Sequence, residues 1–447
     1  MADVVKEDRY ILSNISSNNN KWWDISLQDD DSVICGWGRV GEVGDQLTKR
    51  FTNTIAAGRF YDSKCREKHK KGYQPLRTMS TSGSVIRTTV NKDNLAEIAT
   101  KQIEVSSPET VELIKYLTQA NIHSILNSTN IQYDTSKGTF STPLGVVTKE
   151  AIIEARDLLS NISTFIAAND LDNKDIVPNI NKYLMLIPQD IGRSRPSART
   201  LYPTLDSIQR QNDILDSLDA SVESIIHSVP DDKEGHEESK VFEVKLHGVE
   251  DGRLIDYIRT KYRSTQQAVH GSSVLDVKRV YKVEIAHMSK AYHQHLYCYT
   301  IDNSIGMAED DEDTGRHIWE LWHGSKKGNL LSIMAKGFVI PPRNSGHCTG
   351  RMFGNGVYFS DQSTKSLNYA WGYWDNQRDD NCFMFLADIL VGNYYIPKSS
   401  SESLPKPGYD STFAKAGLSG VLNNEIVVYN TAQINPTFLV EFSRGGR

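Results

Sequence analysis

Apolar positions alternate with polar ones near the N-terminus. In NKWWDISLQ, Trp23, Ile25 and Leu27 stand against Asp24 and Ser26, the period of a strand with one wet face. A second strand, SVICGWGRVGEVG, follows an acidic DDD turn and ends in glycines, and a basic helix, IAAGRFYDSKCREKHKKGY, comes next. The stretch 86–105 (IRTTVNKDNLAEIATKQIEV) reads as a linker. From Ser107 the period changes to three and four. Ser107-Pro108-Glu109 is an N-cap, a first-turn proline and an acid, followed by Val111, Ile114 and Leu117 on one stripe. Thr148 opens a longer helix carrying Ala155, Leu158, Leu159, Ile162 and Phe165, and a third helix, from Asp206 to Ile226, turns Leu215, Leu218, Val222 and Ile225 inward. HSVPDDKEGHEESK (227–240) is a charged linker without a stripe.

Alternation then returns. VFEVKLHGV predicts a strand, DGRLIDYIRTKY a capped helix, and VLDVKRVYKVEIA a long strand with Val283 and Ile285 opposed to Lys282 and Glu284. HIWELWH reads as a buried strand, NLLSIMAKGF as a helix, GVYFS as a short strand, and DQSTKSLNYAW as a helix opened by an Asp or Ser cap. CFMFLADILVGNYY reads as a hairpin region and NNEIVVYNTAQINPTFLVEF as the last strand region. The expected fold class is multidomain α+β. A small mixed sheet and helix module occupies 1–85, a linker 86–105, an all-α bundle 106–229, and a mixed antiparallel domain 241–447.

Composition narrows the classes. An apolar content of 38% with 24% charge fits a globular chain, and no apolar run reaches the length of a membrane span. The polar start MADVVKEDRY does not resemble a secretory signal, so the expectation is an intracellular protein with no membrane partner. Cys35, Cys65, Cys298, Cys348 and Cys382 are scattered without a CxxC or a His pairing, which argues against a disulfide framework, zinc fingers or any resident metal. Net charge is −6, yet Arg39 to Arg77 holds ten Lys/Arg against four acids. The segment AEDDEDTG (308–315) is an acidic, solvated insert.

Candidate chemistry concentrates between Trp319 and Tyr369. His323, Tyr358, Ser366 and Tyr369 lie in a span rich in Gly and Ser, and Gly324 lets a ligand approach the backbone. Two aromatic rings, an imidazole and a hydroxyl suit a pocket for a flat heteroaromatic ring bearing an amide, such as nicotinamide. Ser366 and Tyr369 are three apart on one helix face. Far along the chain, Glu425 places a carboxylate at a strand mouth.

These motifs carry a resemblance. LWHGS, GVYFSDQSTKSLNY and NEIVVYNTAQIN resemble the catalytic domain of the poly(ADP-ribose) polymerases and match its His-Tyr-Glu signature with His323, Tyr358 and Glu425. The resemblance implies NAD+ as substrate. Gly324 and Ser366 then hold the nicotinamide carboxamide, Tyr358 and Tyr369 stack on its ring, and Ser325 and Asn329 touch the ADP-ribose part. His323 fixes the adenine-side ribose, Glu425 stabilises charge on the sugar, and Lys365 helps near the acceptor. Val339 stands where Arg is common in the family, and Ser360 where Ala is common.

Trp37-Gly38-Arg39 is the name-giving motif of the WGR domain. By that resemblance Trp37 meets a sugar or base at a DNA end, Arg39 ties the module to its neighbour, and Lys64, Lys68, Lys70 and Lys71 with Arg39 supply DNA contacts. TPLGVVTKEAI, NKYLMLIPQDIG and LDSIQRQNDILDSLD resemble the family's helical regulatory domain. Asp213, Asp216 and Asp219 then form a regulatory acidic row opposing the pyrophosphate. The expected partners are DNA ends or nicks and acceptor proteins including the chain itself, with a monomer acting on DNA. The expected setting is the nucleus in a eukaryote, or the cytoplasm or nucleoid in a bacterium or virus. A mono-ADP-ribosyltransferase of the same fold and a DNA-end scaffold with an inactive transferase domain stay open as alternatives.

Overall fold

The computed structural model describes residues 3–75, 95–129, 131–134, 139–142, 145–192, 194–227, 240–303, 317–340, 352–373 and 378–444. The end of the first module, the start of the 86–105 stretch, most of the charged linker, the acidic insert and Cys348 lie outside the described residues. The chain forms two compact units. One comprises 1–94, 123–225 and 345–349; the other comprises 95–122, 226–344 and 350–447.

In the first unit, β1 (Val4–Asn14), β2 (Asn19–Gln28), β3 (Ser32–Arg39) and β4 (Asp45–Arg50) form an antiparallel meander. Helix α1 (Thr54–Lys70) follows, and β5 (Gln74–Pro75) adds beside β1. Trp23, Ile25 and Leu27 are buried together with Val33, Cys35 and Tyr61, as their alternation predicts. β1 had no such signature, because Val4 to Glu7 are exposed and only its pairing with β2 recruits that half.

The stretch read as a linker folds from Leu95 onward and belongs to the second unit. Helix α2 (Leu95–Gln102) buries Leu95, Ile98 and Ala99, a one-sided apolar face too short to stand out beside the polar residues around it. β6 (Glu104–Val105) pairs in parallel with the strand Val244–Gly248. The Gln102 side-chain carbonyl accepts the N–H groups of Val241 and Phe242 at 2.9 and 3.1 Å. Helix α3 (Pro108–Ser128) starts at Ser107, whose hydroxyl accepts the Thr110 N–H at 3.4 Å. Its early turns also serve the second unit: Asn121 donates to the Gly328 carbonyl at 2.9 Å, and Lys327 donates to the Tyr116 hydroxyl at 2.8 Å.

Back in the first unit, a small sheet of β7 (Gln132–Asp134), β8 (Thr139–Thr142) and β9 (Gly145–Val146) precedes α4 (Lys149–Ala167), α5 (Ile176–Leu186), α6 (Ala198–Leu201) and α7 (Leu205–His227). Thr148 caps α4 by accepting the Ala151 N–H at 3.2 Å. The buried stripe of α4 is Ala155, Leu158, Leu159, Ile162 and Ile166, with Phe165 only half-buried. α7 turns Leu215, Leu218 and Val222 inward, but Ser207, Asn212, Ser217 and Ser221 go in with them. α5 packs on the first sheet: Met185 lies against the Ile11–Val40 cluster, as Trp22 does, and Asn181 accepts the Ile15 N–H at 2.9 Å.

The second unit continues with β10 (Val244–Gly248), α8 (Gly252–Ser264), β11 (Leu275–Ile285), α9 (Ala286–Asp302), β12 (Ile318–Gly324), α10 (Lys327–Lys336), β13 (Val357–Phe359) and α11 (Ser363–Trp371). It ends with β14 (Cys382–Leu390), β15 (Tyr394–Tyr395), β16 (Ser411–Ala414), β17 (Glu425–Val428) and β18 (Ile434–Arg444). One sheet has the order β12-β14-β18-β11-β10-β6, the other β13-β17-β16-β15. The hairpin expected after β14 does not form, since β15 pairs in parallel with β16 in the other sheet. The last strand region breaks at a 3-10 turn, Thr431–Gln433, capped by Asn430, and so feeds both sheets. The larger sheet packs Trp322, Tyr262, Met384, Leu386, Val440 and Phe442 into one core. Mutual backbone hydrogen bonds of 3.0 Å between Trp322 and Ser360 sew the two sheets together.

Candidate active site

That seam sets the site. Trp322 is wholly buried in the large-sheet core, so strand alternation points the next side chain the other way. His323 meets Phe338 edge-on at 4.7 Å and Phe359 at 5.4 Å between ring centroids. Its Nδ1 lies 2.9 Å from the Tyr358 carbonyl oxygen. A carbonyl only accepts, so a hydrogen sits on Nδ1; in the neutral ring Nε2 is then the acceptor. Tyr358 is held in turn: its hydroxyl donates to the Gly354 carbonyl and accepts the Phe353 N–H, both at 2.9 Å.

Gly324 closes β12 against α11. A Cβ built there would lie 2.7 Å from the Ser366 carbonyl carbon and closer still to its oxygen, so only glycine permits this approach of strand to helix. Ser366 is buried and donates to the Trp322 carbonyl at 3.0 Å. The helix cap differs from expectation, because Gln362 is the N-cap and makes no side-chain cap bond. Tertiary bonds hold α11 instead. Ser363 donates to the Tyr262 carbonyl at 2.7 Å, and His270 Nδ1 lies 3.0 Å from the Thr364 hydroxyl. Burial pushes the His270 imidazole pKa down, and the charge of Lys365 adds to that. Tyr369, on the same face as Ser366, is 45% exposed and so offers its ring to the open side.

Glu425 begins β17, which pairs with β13 so that Tyr358 faces Val427 and Phe359 faces Ile426. Its carboxylate lies 2.8 Å from the Lys365 ammonium, with both side chains mostly buried. Lys365 also stands 5.4 Å over the Tyr369 ring. His323, Gly324, Tyr358, Lys365, Ser366, Tyr369 and Glu425 are thereby linked through direct contacts and one strand pair. Ser325 and Asn329 are half-buried, at the end of β12 and in the first turn of α10. The ion pair itself was not foreseen, nor were His270 and Thr364. The available signal was a single charged residue, a lysine, inside an otherwise uncharged helix, STKSLNYAW.

The acidic row is partly neutralised within the first unit. Arg156 of α4 lies 2.7 Å from Asp216 and 3.6 Å from Asp219, and Asp213 accepts from Gln209 at 2.9 Å. Three residues turn an α-helix by 300°, so a three-residue repeat drifts around the helix and meets a neighbouring helix.

In the first sheet Trp37 is 38% exposed, while Gly38 accommodates the Trp22 indole, whose Nε1 would be 2.8 Å from a Cβ there. Arg39 bonds the Asn18 carbonyl and side chain at 3.2 and 2.9 Å and also the Gly192 carbonyl next to the helices. Both its terminal nitrogens make bonds within the first unit, the internal tie expected of Arg39. Lys64 and Lys71 share Glu67, each at 2.7 Å, and pull its carboxyl down to about 2. Lys68 sits 4.9 Å over Trp23 and 4.8 Å over Tyr73, and its burial lowers its pKa. Of the four lysines, Lys70 alone is both exposed and without a partner among the described residues.

Comparison with known proteins gives three matches along the chain. The WGR domain matches residues 9–79, the poly(ADP-ribose) polymerase regulatory domain 107–241, and the poly(ADP-ribose) polymerase catalytic domain 255–420. Poly(ADP-ribose) polymerase 1 of Danio rerio is 24% identical over 485 residues, 96% of this chain and 44% of that protein. The Homo sapiens protein mono-ADP-ribosyltransferase PARP3 is 25% identical over 435 residues, 90% of this chain and 75% of that protein. The chain thus spans less than half the length of the first of these relatives. With all three domain matches in order, and relatives aligned across nearly its whole length, the chain belongs to the poly(ADP-ribose) polymerase family.

Proposed function

We propose that the chain is an NAD+-dependent ADP-ribosyltransferase that elongates poly(ADP-ribose) and is switched on by DNA strand breaks. The observation that carries the reading is the convergence of Glu425, Lys365, Tyr369 and Ser366 beside the His323–Tyr358 seam. The close approach at Gly324, which a Cβ would fill, and the exposed Tyr369 ring fit a flat ring carrying an amide. In this reading Gly324 and Ser366 read the carboxamide. With its hydrogen committed to Trp322, the Ser366 hydroxyl offers lone pairs to an amide N–H. Tyr358 and Tyr369 bracket the ring, His323 accepts a ribose hydroxyl at Nε2, and Ser325 and Asn329 line the ADP-ribose side.

NAD+, when bound, supplies the glycosidic bond to nicotinamide, and breaking it gives the ribose oxocarbenium character. Glu425 stabilises that developing charge and orients the ribose 2′-hydroxyl or the incoming acceptor. Lys365 keeps the carboxylate in place and adds a cation where an acceptor's phosphates would lie. A glutamate in this position suits chain elongation. The mono-transferase reading has its own support in the similarity to the PARP3 relative.

For DNA, exposed Trp37 offers a face for a terminal sugar and Lys70 a phosphate contact. The Arg39 tie and the Met185 packing join that surface to the helical segment, which supports coupling through local unfolding of the bundle. In a eukaryote the work belongs in the nucleus, on acceptors that include the chain itself. The test is NAD+ consumption by the purified chain with and without nicked or blunt DNA, with product size read on a gel. Polymer made only with DNA is the expected result. Absence of NAD+ consumption overturns the enzyme reading, and a single-unit adduct overturns elongation.

A further inference from the structure

Ser360 stands where the three strands of the site meet. Its backbone exchanges hydrogen bonds with Trp322, the residue before His323. It lies two residues after Tyr358. Its hydroxyl donates to the Asn424 carbonyl at 2.8 Å, the residue before Glu425, and accepts the Gln362 N–H at 3.1 Å. Asn424 is clamped twice more: its amide donates to Asp361 at 2.9 Å and accepts the Ala416 N–H at 2.9 Å. The side chain of Ser360 is wholly buried, so water does not replace these bonds.

We propose that Ser360, acting through Asn424, is the positioning residue that sets Glu425 against the nicotinamide end of the pocket. This rests on the transferase reading above. Glu425 is the first residue of its strand, with a loop before it, so ladder bonds fix it from one side only. The Ser360–Asn424 bond fixes the other side. It registers the carboxylate against the same strand that carries Tyr358, rather than against the loop. The Ser360–Asn424 bond touches neither Gly324 nor the hydroxyl of Ser366, so its loss separates carboxylate placement from ring binding.

The test uses the full chain, nicked DNA and NAD+. Ser360→Ala removes the hydroxyl and leaves the backbone seam intact. A carboxylate loosened by a fraction of an ångström is expected to lower kcat roughly three- to tenfold. The KM for NAD+ and the inhibition constant of free nicotinamide should stay within twofold. Asn424→Ala, which keeps the carbonyl but loses both amide bonds, should lower kcat in the same way and serves if Ser360→Ala folds poorly. Wild-type kcat in both variants overturns the proposal, as does a rise in KM or in the nicotinamide constant with kcat held. An inactive wild-type chain condemns the transferase reading instead, which keeps the two failures distinct.

Discussion

Gly324→Ala probes the junction on which the whole pocket depends. The added methyl would sit 2.7 Å from the Ser366 carbonyl carbon and nearer to its oxygen, where ordinary contact is about 3.5 Å. Both neighbours are main chain, so no side chain can swing away. β12 and α11 must separate by about an ångström. That movement strains the Ser366–Trp322 bond and the two Trp322–Ser360 backbone bonds, each 3.0 Å long. At about 1 kcal/mol for each hydrogen bond weakened, the loss is about 2–4 kcal/mol, or a 30- to 1000-fold fall in affinity if all of it falls on the ligand site. The assay is displacement of a fluorescent nicotinamide-site ligand by free nicotinamide, alongside urea unfolding of the same sample. The expected result is a fall in nicotinamide affinity of at least 30-fold, a drop of a few kcal/mol in stability, or a division between them. Nicotinamide binding within twofold of wild type with unchanged stability would refute the claim that this approach forms the ring pocket.

Three further outcomes are expected. Lys68→Ala should destabilise the first sheet, because its charge lies over Trp23 and Tyr73, whereas Lys70→Ala should leave melting unchanged and lower the salt slope of DNA binding by about 1; thermal melts and salt titrations separate the two. Asn212 is wholly buried with neither end of its amide bonded among the described residues. Asn212→Ala removes that penalty and a poor helix former, so chemical denaturation should show the bundle stabilised by about 1–2 kcal/mol and, if coupling runs through bundle opening, activation by DNA reduced. Burial, followed by the neighbouring Glu320, pushes the Asp388 carboxyl up to about 6 from 3.8. The folded chain therefore keeps a proton that the unfolded chain has released. Stability from this group is full below about pH 4 and is lost as pH rises through 6, by up to about 3 kcal/mol. Asp388→Asn should flatten that slope in urea melts at pH 4, 6 and 8, and an unchanged slope would count against the assignment.

Periodicity was most informative where one face meets a core. Trp23, Ile25 and Leu27, the α4 stripe, and β10 and β11 lie where their spacing predicts. It failed where long-range pairing makes the element. Exposed Val4 to Glu7 become strand only beside β2, and two-residue β6 only beside β10. The break between β17 and β18 was written in Asn430, whose capping box closes a turn inside an otherwise strand-like run. At the site, local spacing brought out the His, Tyr, Ser and Glu, but not the Lys365–Glu425 pair, because sixty residues separate its members. Counting charge does not show that Lys68 lies on aromatic rings or that Arg39 is consumed by carbonyls.

The Gln102 side chain grips the backbone of Val241 and Phe242, so the chain on either side of residues 103–240 is held together at one point. Those residues, including the start of α3 that belongs to the second unit, form a covalent loop closed at both ends. Local melting within such a loop leaves its ends pinned: re-formation is a local search, and the loop-closure entropy changes little as the segment opens and shuts. A reversible and fast-resetting response is what that tethering gives.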